Sequence, residues 1–434
     1  MAASASLLLF TACASSSDVE AVEGSNTSSS LSDSDAADVV SASSEDDLFD
    51  SSLMHTISVD FDQADYDAMI ETFTDTGDKD WISATVTLDG TTFEDVGLRL
   101  KGNSSLFSLN AETSGNPEDL PWLIRLNKFV DGEDHQDYED IVIRSNSTET
   151  AMNEAVAQEL LADTGLAAQS PIATAFTVNG GETELRLAVE NPDEEWYEDN
   201  FADEDGLLYK ADSEGDYSYR GEDAEAYTDV FDQEVGEDDM QPLIDFLDFI
   251  NNSDDATFDA ELGDRLDVDA FATYLAFQDL IGNGDDIDGR GNNSYLQYDT
   301  TTEQFTVVSW DLNLAFDTAN VGGGGAGAGR GGGERPVGAG VDAQAGEQGA
   351  GGGVGGPGNV SNVLVDRFMA DADFAALYEA KTAELTEQLY ASGTADEVIA
   401  NWSDLLTNDA GTLVSEETVS TEAAALVTYI DGVR

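Results

Sequence analysis

Arg99 and Lys101 stand two apart in a run, 96–101, that reads as a strand, so both would project from one face. Gly102, Asn103, Ser104 and Ser105 follow directly, a turn rich in small residues. Cations on one face beside free backbone amides are the makings of a polyphosphate site; simple pairing with the plentiful carboxylates is the equal alternative. A second constellation is acidic. Asn283, Gly284, Asp285, Asp286, Ile287, Asp288 and Gly289 close a helical run, and Asn292 and Asn293 open the next strand. The strand that pairs with it delivers Trp310, Asp311, Leu312 and Asn313. Carboxylates and amides at two adjacent strand ends are hard-oxygen ligands suited to Mg²⁺ or Mn²⁺. An EF-hand is excluded, because Gly284 stands at the first ligand position and Tyr295 where the bidentate glutamate is needed. Taken alone, an Asp-rich turn in so acidic a chain is usually a solvated loop.

The elements that must position these residues are legible in outline. Residues 57–61 alternate like a strand, 65–73 have helical spacing, and 84–90 and 96–101 read as successive strands of an antiparallel sheet. Further strands are expected at 122–130 and 140–144, then a helix at 150–164 closed by Gly165. Asn179-Gly180, between 173–178 and 185–189, is the strongest short hairpin signal. After Lys210 the pattern is mostly helical, notably at 241–250 and 268–280, interrupted by one β-pair, 294–298 with 305–310. Helices resume at 362 and continue through 374–390, 395–406 and 416–429. The spacing therefore predicts an α+β chain, with a mainly antiparallel β N-terminal half and a mainly α C-terminal half.

The chain has 434 residues, 41% of them hydrophobic, enough for a real core. Against 91 acidic residues stand only 16 basic ones, a formal charge of -75. In dilute buffer such a charge strains a compact state by self-repulsion, whereas at molar salt the Debye length falls to about 3 Å. The composition reads as a halophilic, solvated acidic surface. Nucleic acid is excluded as a partner by the absence of any basic stripe. The single cysteine, Cys13, follows the run Leu7, Leu8, Leu9, Phe10, Thr11, Ala12, as in a lipoprotein signal whose cysteine is lipidated, although no Lys or Arg precedes Lys79. The expected organisation is a signal segment at 1–13, an acidic Ser-rich disordered tether at 14–51, and a folded domain at 52–434. A Gly-rich flexible insertion at 321–358 interrupts that domain. The protein would then be exported and held at the outer face of the membrane only through lipid on Cys13. His55 and His135 are the only histidines, too few for a zinc enzyme or a Ser-His triad.

Taken in order, several segments resemble the spore coat protein H (CotH) kinase family. They are 96–105, 121–132, 185–190, 206–210, Gly282 to Asp285 with Asn293 to Leu296, and Trp310 to Asn313. The resemblance implies a two-lobed, atypical protein-kinase-like fold that moves the γ-phosphate of ATP, with Mg²⁺ or Mn²⁺, to Ser or Thr of surface proteins, the chain itself included. By that resemblance Asp285 orients the acceptor hydroxyl. Arg99, Lys101 and Arg125 hold phosphates, Glu159 orients one of those cations, and Glu190 sits near the nucleotide base. Asn293, Asp311 and Asn313 are the metal positions. Two residues depart from the family pattern: Asn313 replaces an aspartate, and Arg125 stands where lysine is expected. A non-catalytic surface assembly or binding module of the same fold is the alternative reading.

Overall fold

The computed structural model describes residues 42–43, 46–102, 104–106, 109, 115–203, 205–212, 216–288, 292–316 and 362–434. Cys13, most of the tether, Arg290 and the Gly-rich stretch lie outside them.

Strand β1 (Met54–Phe61) buries alternate residues, as its sequence pattern predicts, and runs into helix α1 (Gln63–Thr76). The Asp62 side chain caps that helix by accepting from the Ala64 N–H at 2.8 Å, and Gly77 ends it in the left-handed conformation. Strands β2 (Ile82–Leu88) and β3 (Thr91–Leu100) form a hairpin across Asp89-Gly90, both at positive φ. Strands β4 (Trp122–Arg125) and β5 (Asp140–Ile143) extend the sheet, and α2 (Met152–Asp163) follows. Strands β6 (Pro171–Val178) and β7 (Thr183–Glu190) pair through the expected turn at Asn179-Gly180.

These seven strands close into a barrel in the order β1-β2-β3-β4-β5-β7-β6. The expected antiparallel sheet is thus a closed one, and closure is made by a parallel pairing of β1 with β6. Inward residues such as Val86, Leu98, Trp122, Ile124 and Phe176 fill its interior with α1 against one end, so the barrel is a packed core rather than a channel. The strand expected over 122–130 leaves the sheet at Arg125. Residues Leu126–Lys128 turn instead, and the side chain of Lys128 comes to lie over Gly97 of β3.

Helix α3 (Glu194–Asn200) leads to β8 (Leu207–Ala211) and β9 (Phe231–Val235). Helices α4 (Gln241–Asn252), α5 (Asp255–Glu261) and α6 (Val268–Leu280) precede β10 (Ser294–Asp299) and β11 (Gln304–Ser309). The predicted β10–β11 pair forms, but as part of a four-stranded antiparallel sheet, β11-β10-β8-β9. The chain ends in α7 (Val363–Ala370), α8 (Ala372–Leu385), α9 (Thr394–Asp409) and α10 (Glu416–Val433). Their apolar faces share one core with α2, α4, α6 and the four-stranded sheet. Among the described residues no helix is long and apolar enough to cross a membrane.

Candidate functional site

The two constellations that the sequence separates by nearly two hundred residues meet at Trp310. The Lys101 Nζ lies 5.0 Å from the centre of the Trp310 ring, and the Arg144 guanidinium 5.6 Å from it. Arg144, at the end of β5, is buried and ion-paired to Glu154 of α2 at 2.8 Å and to Asp311 beside the tryptophan. Burial alone would lower the Arg144 pKa, but the Asp311 and Glu154 charges outweigh it and raise it. Burial pushes the Glu154 carboxyl up to about 6 against the pull of Arg144. Asp311 adopts a left-handed backbone, φ 59°, which turns the chain sharply where β11 ends.

Lys101 follows β3 and donates to Asn191 Oδ1 at 2.5 Å. Asn191 Nδ2 donates in turn to Asp140 at 2.9 Å, and Asp140 holds Arg125 in a two-point pair, 2.7 and 2.5 Å. Burial pulls the Lys101 pKa well down, and the nearby Lys210 charge adds to the fall. Arg99 is also lowered, by burial and then by Arg125, and its buried Nε finds no acceptor among the described residues. A set of cations that depress one another's pKa values is short of negative charge. Arg125 is the exception, raised by its bonds to Asp140.

Asp285 sits on the loop after α6. Its side chain reaches solvent, yet partial burial and then the Asp311 charge hold its pKa above the usual carboxylate value. That coupling places the Asp285 and Asp311 carboxylates in one field. Asn293 Nδ2 donates to the Asp285 carbonyl at 2.9 Å, tying the loop to the start of β10. A buried polar chain holds the loop from beneath. Asn283 donates to Gln278 at 2.9 Å, Gln278 to Ser309 Oγ at 3.0 Å, and Ser309, at the end of β11, immediately precedes Trp310.

Three of the expected site residues stand apart from this group. Glu159 accepts from the Trp402 Nε1–H at 2.7 Å beneath α9, and burial raises its pKa. The acidic residue of α2 that meets a cation of the site is Glu154, five positions earlier and so about 140° around the helix. Glu190 is buried and accepts from the Ser170 N–H at 2.6 Å. Burial raises its pKa, and the charges acting on it are Asp199 and Asp47 rather than the cations. The Asn313 carbonyl accepts from Ser147 Oγ at 2.7 Å and Asn153 Nδ2 at 2.6 Å. Asn313 lines a separate cavity of 320 Å³ that also includes Phe316 and Glu422. Sequence reasoning missed Arg144 and Glu154 as site members. An arginine at a predicted strand end, ten residues before the glutamate in the first turn of the following helix, was the available signal.

The family described as CotH kinase protein matches residues 98–432. No curated protein matches the chain. Among solved structures, the chain is similar to the crystal structure of a Helicobacter pylori proinflammatory kinase, CtkA, at 10% identity and a TM-score of 0.30, covering 67% of this chain and 85% of that one.

Proposed function

We propose, from the premise that this chain belongs to the CotH kinase family, that it is an atypical protein kinase with a two-lobed arrangement, transferring the γ-phosphate of ATP to Ser or Thr of surface proteins, itself included. The observation that carries this reading is the meeting at Trp310 of Lys101 with Arg144, which is itself paired to Asp311. Phosphoryl transfer needs positioning and charge neutralisation more than covalent help, and those are what this arrangement offers. Lys101, flanked by Arg99 and Arg125, holds phosphate oxygens. Asp285 orients the acceptor hydroxyl and takes up its proton; a carboxylate with a raised pKa is the better base for that task.

The donor set fits a divalent cation. Asp311 and the Asn293 amide oxygen are hard-oxygen ligands, and the Asn293 side chain is tied to the Asp285 loop. When bound, Mg²⁺ or Mn²⁺ supplies neutralisation of charge on the transferring phosphates. Arg144 fixes the Asp311 carboxylate in the absence of substrate, and Glu154 fixes Arg144. Export and attachment through lipid on Cys13 belong to the same proposal.

A second reading has its own support: Asn313 replaces the family's aspartate, and one Asp311 oxygen is already taken by Arg144. These favour a surface module that kept the fold without turnover. Transfer from γ-labelled ATP in molar KCl with Mg²⁺ decides between them. Label on protein with the unaltered chain and none with Asp285→Ala supports the kinase; no label with either, in folded samples, supports the module.

A further inference from the structure

In a chain with 91 acidic residues, every cation would be expected to hold a carboxylate. Among the described residues, Lys79, Arg99, Lys101 and Lys128 have no acidic oxygen within the 4.0 Å of an ion pair. Arg186 has none either, but it is buried and spent on the carbonyls of Glu118, Leu120 and Arg144. Two of the four, Arg99 and Lys128, converge with Arg125 on Trp81, at 4.8, 5.0 and 5.6 Å from the ring centre. Lys79 stands two residues before Trp81, its pKa lowered by burial and then by Lys210 and Arg99. Gly97 makes the arrangement possible. A Cβ there would stand 2.4 Å from the Lys128 Cβ and 3.0 Å from the Trp81 ring. Directly after Lys128 come Phe129 and Val130, 49% and 39% exposed, the large hydrophobic residues that the described surface leaves open.

We propose that Trp81, Lys79 and Lys128, with the Phe129-Val130 step beside them, dock the acceptor: an acidic Ser- or Thr-bearing peptide segment with a neighbouring apolar residue. The proposal rests on the kinase reading for the word acceptor, not for the binding. Charge complementarity selects the occupant. Elsewhere the surface repels an acidic segment, so a small group of cations outside ion pairs gives register by repulsion as well as attraction. The triphosphate has Lys101 at Trp310 as its central cation, with Asn191, Asp140 and Arg125 bonded in series between Lys101 and Trp81, and neither Lys79 nor Lys128 is among the phosphate cations. Lys79 and Trp81 precede residue 98, where the family match begins, whereas Lys128, Phe129 and Val130 lie within it. Contact pairs of this kind persist at molar salt, where longer-range attraction is screened.

The test uses the full chain and a fluorescent synthetic peptide of alternating serine and aspartate with one leucine. Lys79→Gln/Lys128→Gln is compared with the unaltered chain and with Lys381→Gln, a cation already paired to Asp269 at 2.7 Å. Binding is read by anisotropy, ATP affinity separately, and folding by circular dichroism. The double variant is expected to weaken peptide binding about tenfold, as the loss of two solvent-screened charge contacts would, with ATP affinity and the Lys381→Gln control unchanged. Unchanged peptide affinity, or a loss of ATP affinity in its place, overturns the proposal. Peptide that binds through Lys79 and Lys128 but never receives phosphate from the unaltered chain supports the docking site and refutes the kinase reading. Phosphate transfer with peptide affinity indifferent to both lysines does the reverse.

Discussion

The guanidinium of Arg144 holds the carboxylate of Asp311, a contact that spans 167 residues of chain. The same guanidinium is paired at 2.8 Å with Glu154, whose side chain is 3% exposed. One buried cation therefore balances two carboxylates from different elements, the end of β11 and the first turn of α2.

Removing that cation should cost far more than the pair contributes. Arg144→Met leaves Glu154 as an uncompensated buried charge, with an expected loss of about 3–5 kcal/mol in denaturant unfolding. Arg144→Met/Glu154→Leu should recover most of it, because no charge is then stranded. A double variant no more stable than the single one would show that the lost packing of the arginine, not its charge, was responsible.

Net charge of -75 makes stability a function of ionic strength. Between 0.1 and 1 M salt the Debye length falls from about 10 to about 3 Å, so repulsion between neighbouring surface carboxylates is progressively removed. The thermal midpoint should rise by about 2 °C over that range, the shift that ~1–2 kcal/mol gives in a domain of this size. A flat midpoint from 0.1 to 1 M KCl would mean that the surface charges do not oppose folding.

The hairpins were legible because they are local. Asn179-Gly180 and Asp89-Gly90 supply the positive φ values that tight hairpins require, and their sequences announce it. Barrel closure was not legible, since it pairs β1 with β6 in parallel across more than a hundred residues, and no local pattern encodes such a register. The strands β8 and β9 were passed over because each is five residues long and lies in acidic surroundings. What singles out Glu159 in the sequence is its place at the edge of the helix's apolar face. Helix α2, though, is buried nearly all round, so that face could not tell the two apart. Trp81 carried no signal at all, because its role depends on the approach of Arg99, Arg125 and Lys128 from two other strands and a turn.

His55 offers a pH test of the barrel. Its Nδ1 lies 2.7 Å from Asp89 and its Nε2 3.0 Å from the Asp50 carbonyl, two acceptors, so the fully bonded ring carries both protons. Burial opposes the charge, but those bonds outweigh it and raise the His55 pKa above 6.5. The resulting stability is complete below pH 6.5 and is lost as pH rises through the folded-state value, at ~1.4 kcal/mol per unit of elevation. The chemical denaturation midpoint should therefore fall above pH 6.5 in the unaltered chain by more than in His55→Gln. Parallel curves for the two proteins would remove His55 as the source.

Asp193 gives the opposite kind of variant, one that should stabilise. Its carboxylate caps α3 by accepting from the Trp196 N–H at 3.1 Å, while burial and then the nearby Asp140 charge push its pKa up to about 8. A carboxylate raised from 3.8 lends its stability below the unfolded value and loses it as pH climbs through 8. Asparagine caps a helix as well as aspartate does and carries no charge to bury. Asp193→Asn should thus match the unaltered chain below pH 4 and exceed it at pH 9, by ~1–2 kcal/mol once solvent screening is allowed for. The difference should open progressively between those limits, as the unaltered carboxyl ionises against Asp140. If the asparagine variant is instead the weaker one at pH 9, then Arg125 holds Asp193 as a stable anion, and the cation credited to Asp140 is shared between the two carboxylates.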